Sequence, residues 1–146
     1  MKPTFVVVIL LLLATTIVRA QNEKPVSNLA LSRIMRIVLR DEFKPAKEPK
    51  KIYLSERFLS PTWLPKIRNI EFVLITDTEF KERGKAYYLA KAPYWEEGAV
   101  RVDFGFGDRD CDASGSSYFF RVTGNRVRWA KNKNGAWGRA CAHGSG

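Results

Sequence analysis

Two pairs of residues in the second half of this sequence combine type and spacing in a way that supports chemistry: Arg121 with Arg128, and Cys111 with Cys141. The arginines flank Gly124-Asn125, a two-residue turn signal between runs of alternating apolar residues. Such a turn sets register by counting. Val122 then faces Val127, Arg121 faces Arg128 and Phe120 faces Trp129. Tyr118, Phe120, Val122, Val127 and Trp129 fall on one side of the hairpin, and Phe119, Arg121, Arg126 and Arg128 on the other. Opposed arginines repel unless an anion lies near them, and planar guanidinium groups suit carboxylate, phosphate or sulfate.

The strand expected over 99–106 puts Val100, Val102, Phe104 and Phe106 on one side, with Arg101 and Asp103 on the other. Matching apolar sides, the simplest register sets Phe104 against Phe120 and Val102 against Val122. Asp103 then stands opposite Arg121, in a row of Asp103, Arg121 and Arg128. Trp95, in the loop Pro93-Tyr94-Trp95-Glu96, is the tryptophan expected to be partly exposed and to touch a ligand. The expected ligand-binding set is Arg121, Arg128, Asp103, Arg101 and Trp95.

Other constellations fail on spacing. Asp108, Asp110 and Asp112 alternate as in a calcium loop, but the sixth and twelfth places hold Ala113 and Phe119 instead of glycine and glutamate. Gly105-Phe106-Gly107 is too short for a dinucleotide fingerprint. His143, the only histidine, sits in the tail beside Cys141, and Glu96 with Glu97 is one arbitrary choice among 15 acids for a glycosidase pair. No catalytic motif, metal set, cofactor motif or nucleic-acid motif stands out.

Residues 1–20 have the form of a signal peptide: Lys2, an apolar run over 5–14, and Val18-Arg19-Ala20 before the expected cleavage. The apolar stretch is shorter than the roughly 20 residues a membrane span needs, and none follows it. Residues 21–146 are expected to form one secreted or periplasmic domain without a transmembrane anchor. In that oxidising setting Cys111 and Cys141 are expected to form a disulfide. The formal net charge of +10 loses only Lys2 and Arg19 on cleavage. Such a balance favours an anionic ligand, polysaccharide or acidic protein as partner.

The elements that must hold these residues follow from periodicity. An amphipathic helix capped by Ser27 is expected to about Glu42. An extended connection over 43–51 comes next, then a short helix or irregular wrap over 52–67, with Ser60-Pro61 as a helix start and Trp63 and Leu64 as core anchors. The run 70–75, IEFVLI, is apolar on both faces and is expected to be an inner or helix-covered strand. Thr76 with Glu79 has capping-box spacing and Gly84 is a helix stop. Strands over 85–91 and 99–106, the hairpin, and a last strand after Asn134-Gly135 carrying Trp137 complete the plan.

This is an α+β expectation: an N-terminal amphipathic helix packed on a C-terminal antiparallel sheet of four to six strands. The order of elements resembles cystatin-like or NTF2-like layouts, in which a sheet wraps a helix. The likeness covers element order alone, so no residue is carried across. A non-enzymatic binding module for an anionic partner is the favoured expectation. The alternative is a small exported hydrolase or lyase with a carboxylate site between helix and sheet.

Overall fold

Apolar residues at three- and four-residue spacing bury Ala30, Ile34, Met35, Val38 and Leu39 along one side of helix α1 (Asn28–Glu42), which Ser27 caps by accepting from the Ala30 N–H. The computed structural model describes residues 25–109 and 112–140; the expected signal segment, both cysteines, Asp110 and His143 lie outside them. After α1 come strand β1 (Lys50–Ser55), a 3-10 turn (Pro61–Trp63), β2 (Ile70–Ile75), helix α2 (Asp77–Arg83), β3 (Ala86–Leu89), β4 (Tyr94–Glu96) and β5 (Ala99–Gly107). β6 (Ala113–Thr123), β7 (Arg126–Trp129), a second 3-10 turn (Lys131–Lys133) and β8 (Gly135–Arg139) follow.

All eight strands join one sheet in the order β2-β1-β3-β5-β6-β7, with β4 also beside β5 and β8 also beside β6. The α+β class is as expected, but the antiparallel sheet of four to six strands is not. β1 pairs in parallel with both β2 and β3, so the sheet is mixed. Parallel neighbours need crossovers, and the connection over 56–69 and α2 supply them on opposite faces. Leu59 and Trp63 enter the core on the α1 side, while Phe80 of α2 joins Ile75, Ala86 and Tyr88 on the far side.

Four local expectations are corrected or narrowed. β1 replaces part of the connection and wrap expected there, because Ile52 and Leu54 alternate into the α1-side core and Ser55 is buried. Of the two expectations for β2, the helix-covered one holds, since Ile70, Phe72 and Leu74 pack against the α1 cluster; it is not an inner strand, because among the described residues it pairs with β1 alone. β4 replaces a loop, since Glu97 and Gly98 both take positive φ, at 49 and 75°, and turn β4 back on β5. Asn134-Gly135 is no two-residue hairpin either: β7 and β8 both pair with β6, not with each other.

The β6–β7 hairpin keeps its counted register, with Phe120 opposite Trp129, Arg121 opposite Arg128 and Val122 opposite Val127. Only Gly124 has positive φ in its turn, at 58°, the sign pattern of a type II′ turn. The β5–β6 register differs from expectation by four residues along β6: Phe104 faces Ser116 and Val100 faces Phe120. Facing glycines explain the shift. A Cβ on Gly115 would lie 2.1 Å from the Phe104 carbonyl oxygen, and one on Gly105 would meet the Trp137 ring at 2.5 Å. These contacts admit Gly105 opposite Gly115 and leave ASGSS as strand instead of loop.

Candidate anion-binding face

Parity assigns the faces. Even-numbered residues of β5 and β6 point towards α1, where Val100, Val102, Phe104, Tyr118 and Phe120 are buried with Ile34, Val38 and Leu39. The underside of the hairpin, Val122, Val127 and Trp129, packs against the same cluster. α1 also holds the hairpin by its tip: the Ser27 hydroxyl donates to Asn125 Oδ1 at 2.8 Å and Arg33 donates to the Asn125 carbonyl. Arg121, Arg126 and Arg128 therefore stand on a braced platform, all exposed on the face away from α1. Arg121 and Arg128 are directly opposed. Among the described residues none of the three has an ion pair.

Asp103 does not join them. It faces Ser117, four residues before Arg121 on β6, which is about 13 Å along a strand. Arg101 donates from Nε to Asp103 Oδ1 at 2.8 Å, from Nη1 to both oxygens of Glu96 at 3.1 Å and from Nη2 to Ser117 Oγ at 3.2 Å. Ser117 Oγ donates to Asp103 Oδ1 at 2.6 Å, and the Tyr94 hydroxyl donates to Asp103 Oδ2 at 3.4 Å. The bond to Asp103 holds Arg101 protonated more firmly than a free guanidinium, against the opposing effect of burial. One guanidinium between two carboxylates leaves no surplus positive charge there.

Trp95 lies apart from both groups. It faces Val100, so its side chain is on the α1 side and packs against that core. The five expected binding residues thus divide into Arg121 with Arg128, Arg101 with Asp103, and Trp95 on the opposite face. The β4–β5 turn signal in Glu97-Gly98 would have found Glu96 and Tyr94 as neighbours of Arg101, because it places Tyr94 opposite Arg101.

Two further groups escaped sequence reasoning. Arg109 donates to Asp77 Oδ1 and to the buried Ser55 hydroxyl, both at 2.6 Å, and lies 4.7 Å from the Phe80 ring centre. It ties the β5–β6 loop to α2 beside a surface pocket lined by Asp77, Phe80, Lys81, Gly84, Asp108 and Arg109. Between helix and sheet, the buried Tyr118 hydroxyl donates to Asp41 at 3.1 Å and to Glu42. Burial, then the Glu42 hydrogen bond and charge, push Tyr118 far above the usual phenol range. Among the described residues no cluster of three or more His, Cys, Asp or Glu side chains is placed to hold a metal, and no helix is long and apolar enough to cross a membrane.

Comparisons with protein-family models, curated proteins and solved structures find no match to this chain.

Proposed function

We propose that this is an exported, non-enzymatic binding module whose hairpin arginines receive an anionic ligand: a polysaccharide or the acidic surface of a partner protein. One observation carries the reading. Arg121 and Arg128 oppose each other with Arg126 on the same exposed face, and the expected counter-charge, Asp103, is bonded to Arg101 instead. Like charges directly across strands destabilise a sheet, so their close spacing on a braced surface favours an external anion as the neutralising group. The reading takes nothing from cystatin-like or NTF2-like layouts, whose likeness is one of element order.

Retention on immobilised heparin across a salt gradient tests it. Arg121→Ala with Arg128→Ala should weaken binding by about tenfold, equivalent to about 1.4 kcal/mol, whereas Arg36→Ala with Arg40→Ala on α1 should change it far less. Equal loss in both pairs would reduce the effect to net charge and reject the face. Export is tested on the secreted protein, whose first residue should be Gln21.

The second reading, a hydrolase or lyase working between helix and sheet, has Asp41 and Glu42 as its candidate carboxylates. Both already accept from Tyr118, an arrangement that fits a tie between α1 and β6. A hydrolytic or lyase activity of the purified protein that disappears in Asp41→Asn with Glu42→Gln would move the function there.

A further inference from the structure

β2 has the composition of a strand that expects neighbours on both sides, yet among the described residues only β1 pairs with it. Its six residues, IEFVLI, contain no lysine, no proline and no break in register. These are the devices that normally keep an edge strand from pairing with another chain. The one charged side chain, Glu71, reaches Lys51 on β1 at 3.5 Å.

The open hydrogen-bonding groups follow from the ladder. The Lys50 N–H donates to the Asn69 carbonyl and the Glu56 N–H to the Ile75 carbonyl. Odd-numbered residues of β2 therefore direct their backbone groups towards β1, and even-numbered ones direct them outwards. The outward N–H of Ile70 is taken by the Ile67 carbonyl at 3.1 Å. Phe72 and Leu74 remain, and among the described residues no hydrogen bond outside the ladder reaches their backbone. The first crossover turns back on the outer edge at Ile67, opposite Ile70 and short of Phe72 and Leu74, while its Leu59 and Trp63 sink into the α1-side core; α2 packs on the far face of the sheet, its Phe80 beside Ile75 and Val73 of β2.

We propose that β2 is the seam of a symmetric homodimer, two copies pairing antiparallel about Val73. In that register Phe72 of one copy and Leu74 of the other exchange both N–H···O bonds, twice over, using all four open groups of each strand. Val73 meets Val73 at the closely spaced, non-hydrogen-bonded position on the axis. Glu71 comes opposite Ile75, so no like charges meet. The flanks also match in charge. Lys66 and Arg68 precede β2 and Glu79 follows it, all three exposed, whereas Asp77 is already paired with Arg109, so antiparallel pairing lays each basic flank beside the Glu79 carboxylate of the other copy. This complementarity selects a second copy over an unrelated extended peptide. The sheet then runs continuously through both molecules, with an arginine hairpin at each end.

Sedimentation velocity on the full mature chain, from micromolar to millimolar, is expected to show a monomer–dimer equilibrium. Val73→Lys, which sets two ammonium groups face to face on the axis, should weaken the dimer at least tenfold with an unchanged circular dichroism spectrum. Val73→Cys gives an independent readout should the lysine variant fail to fold. It should form a 73-to-73 disulfide under mild oxidation, identified by peptide mass, while Glu71→Cys should not crosslink to itself. A wild-type monomer throughout the range overturns the proposal and leaves the edge to a different occupant. A dimer that crosslinks through position 71 but not 73, or one that Val73→Lys leaves intact, overturns it equally.

Discussion

The two margins of the sheet solve the same problem with opposite chemistry. At one end β6, β7 and β8 are joined by tight connections, and β7 is four residues long with arginines at 126 and 128. At the other, β2 presents six residues with one charge, and that charge bonds inward. Charge along an edge discourages backbone pairing and offers side chains to an anion; an uncharged edge does the reverse. The contrast teaches that the two margins differ in the side chains their outermost strands carry, arginines on β7 and a single glutamate on β2, and each margin is thereby suited to a different partner.

The first way to break the comparison is to ask whether the margins belong to one cooperative unit. Phe120 is fully buried where β5, β6 and α1 meet. Phe120→Ala should cost about 3–5 kcal/mol in denaturant unfolding, and amide exchange should rise at both margins together. Protection retained at β2 alone would make the margins separate units. The next largest effect concerns the expected Cys111–Cys141 bond. The last described pair of the β6–β8 ladder is Ala113 opposite Arg139, and each cysteine lies two residues beyond it in sequence. Closing a loop of about 30 residues should contribute about 3–4 kcal/mol, lost on reduction. Free thiols in the unreduced, unfolded protein would refute the bond.

A smaller effect sharpens the contrast by charge reversal. Arg121→Glu should convert a repulsive cross-strand pair into an attractive one, raising stability by about 0.2–1 kcal/mol while lowering heparin affinity. A melting temperature that falls with affinity would mean that Arg121 has a stabilising partner. The smallest effect is acid sensitivity. Asp77 is held below the usual carboxylate range chiefly by the Arg109 hydrogen bond, and Glu79 by the Thr76 backbone N–H and then its hydroxyl. A carboxylate with a lowered folded pKa stabilises the fold above its unfolded value, about 4, and this is lost as pH falls through the folded value. Amide exchange should therefore quicken at α2 on acidification before it changes at the arginine hairpin. Simultaneous loosening would remove the distinction.

Much of the arginine face was legible because hairpin register is local. Two turn residues and the parity of the flanking runs place Arg121, Arg126 and Arg128 together without reference to any distant part of the chain. The partner of Asp103 was not legible. Choosing between registers that share parity requires knowing that Gly105 and Gly115 approach closely under Trp137, a contact among three segments. Trp95 was misplaced for want of one turn, Glu97-Gly98, which sends it to the α1 side. For β2, IEFVLI reports that both faces are partly covered, which the α1-side packing bears out; whether one edge or two are paired leaves no trace in side-chain pattern.

By itself the sequence determined what neighbours along the chain decide: the α1 stripe, the α2 capping box, the alternation of each strand and the arginine hairpin. Tertiary structure alone decided which strands lie side by side, which of several equal-parity registers β5 and β6 take, and which acid neutralises Arg101. The physical reason is that alternation repeats every two residues and is satisfied by any even shift. Only close packing between distant segments, glycine against glycine beneath an indole ring, makes one shift lower in energy than the rest.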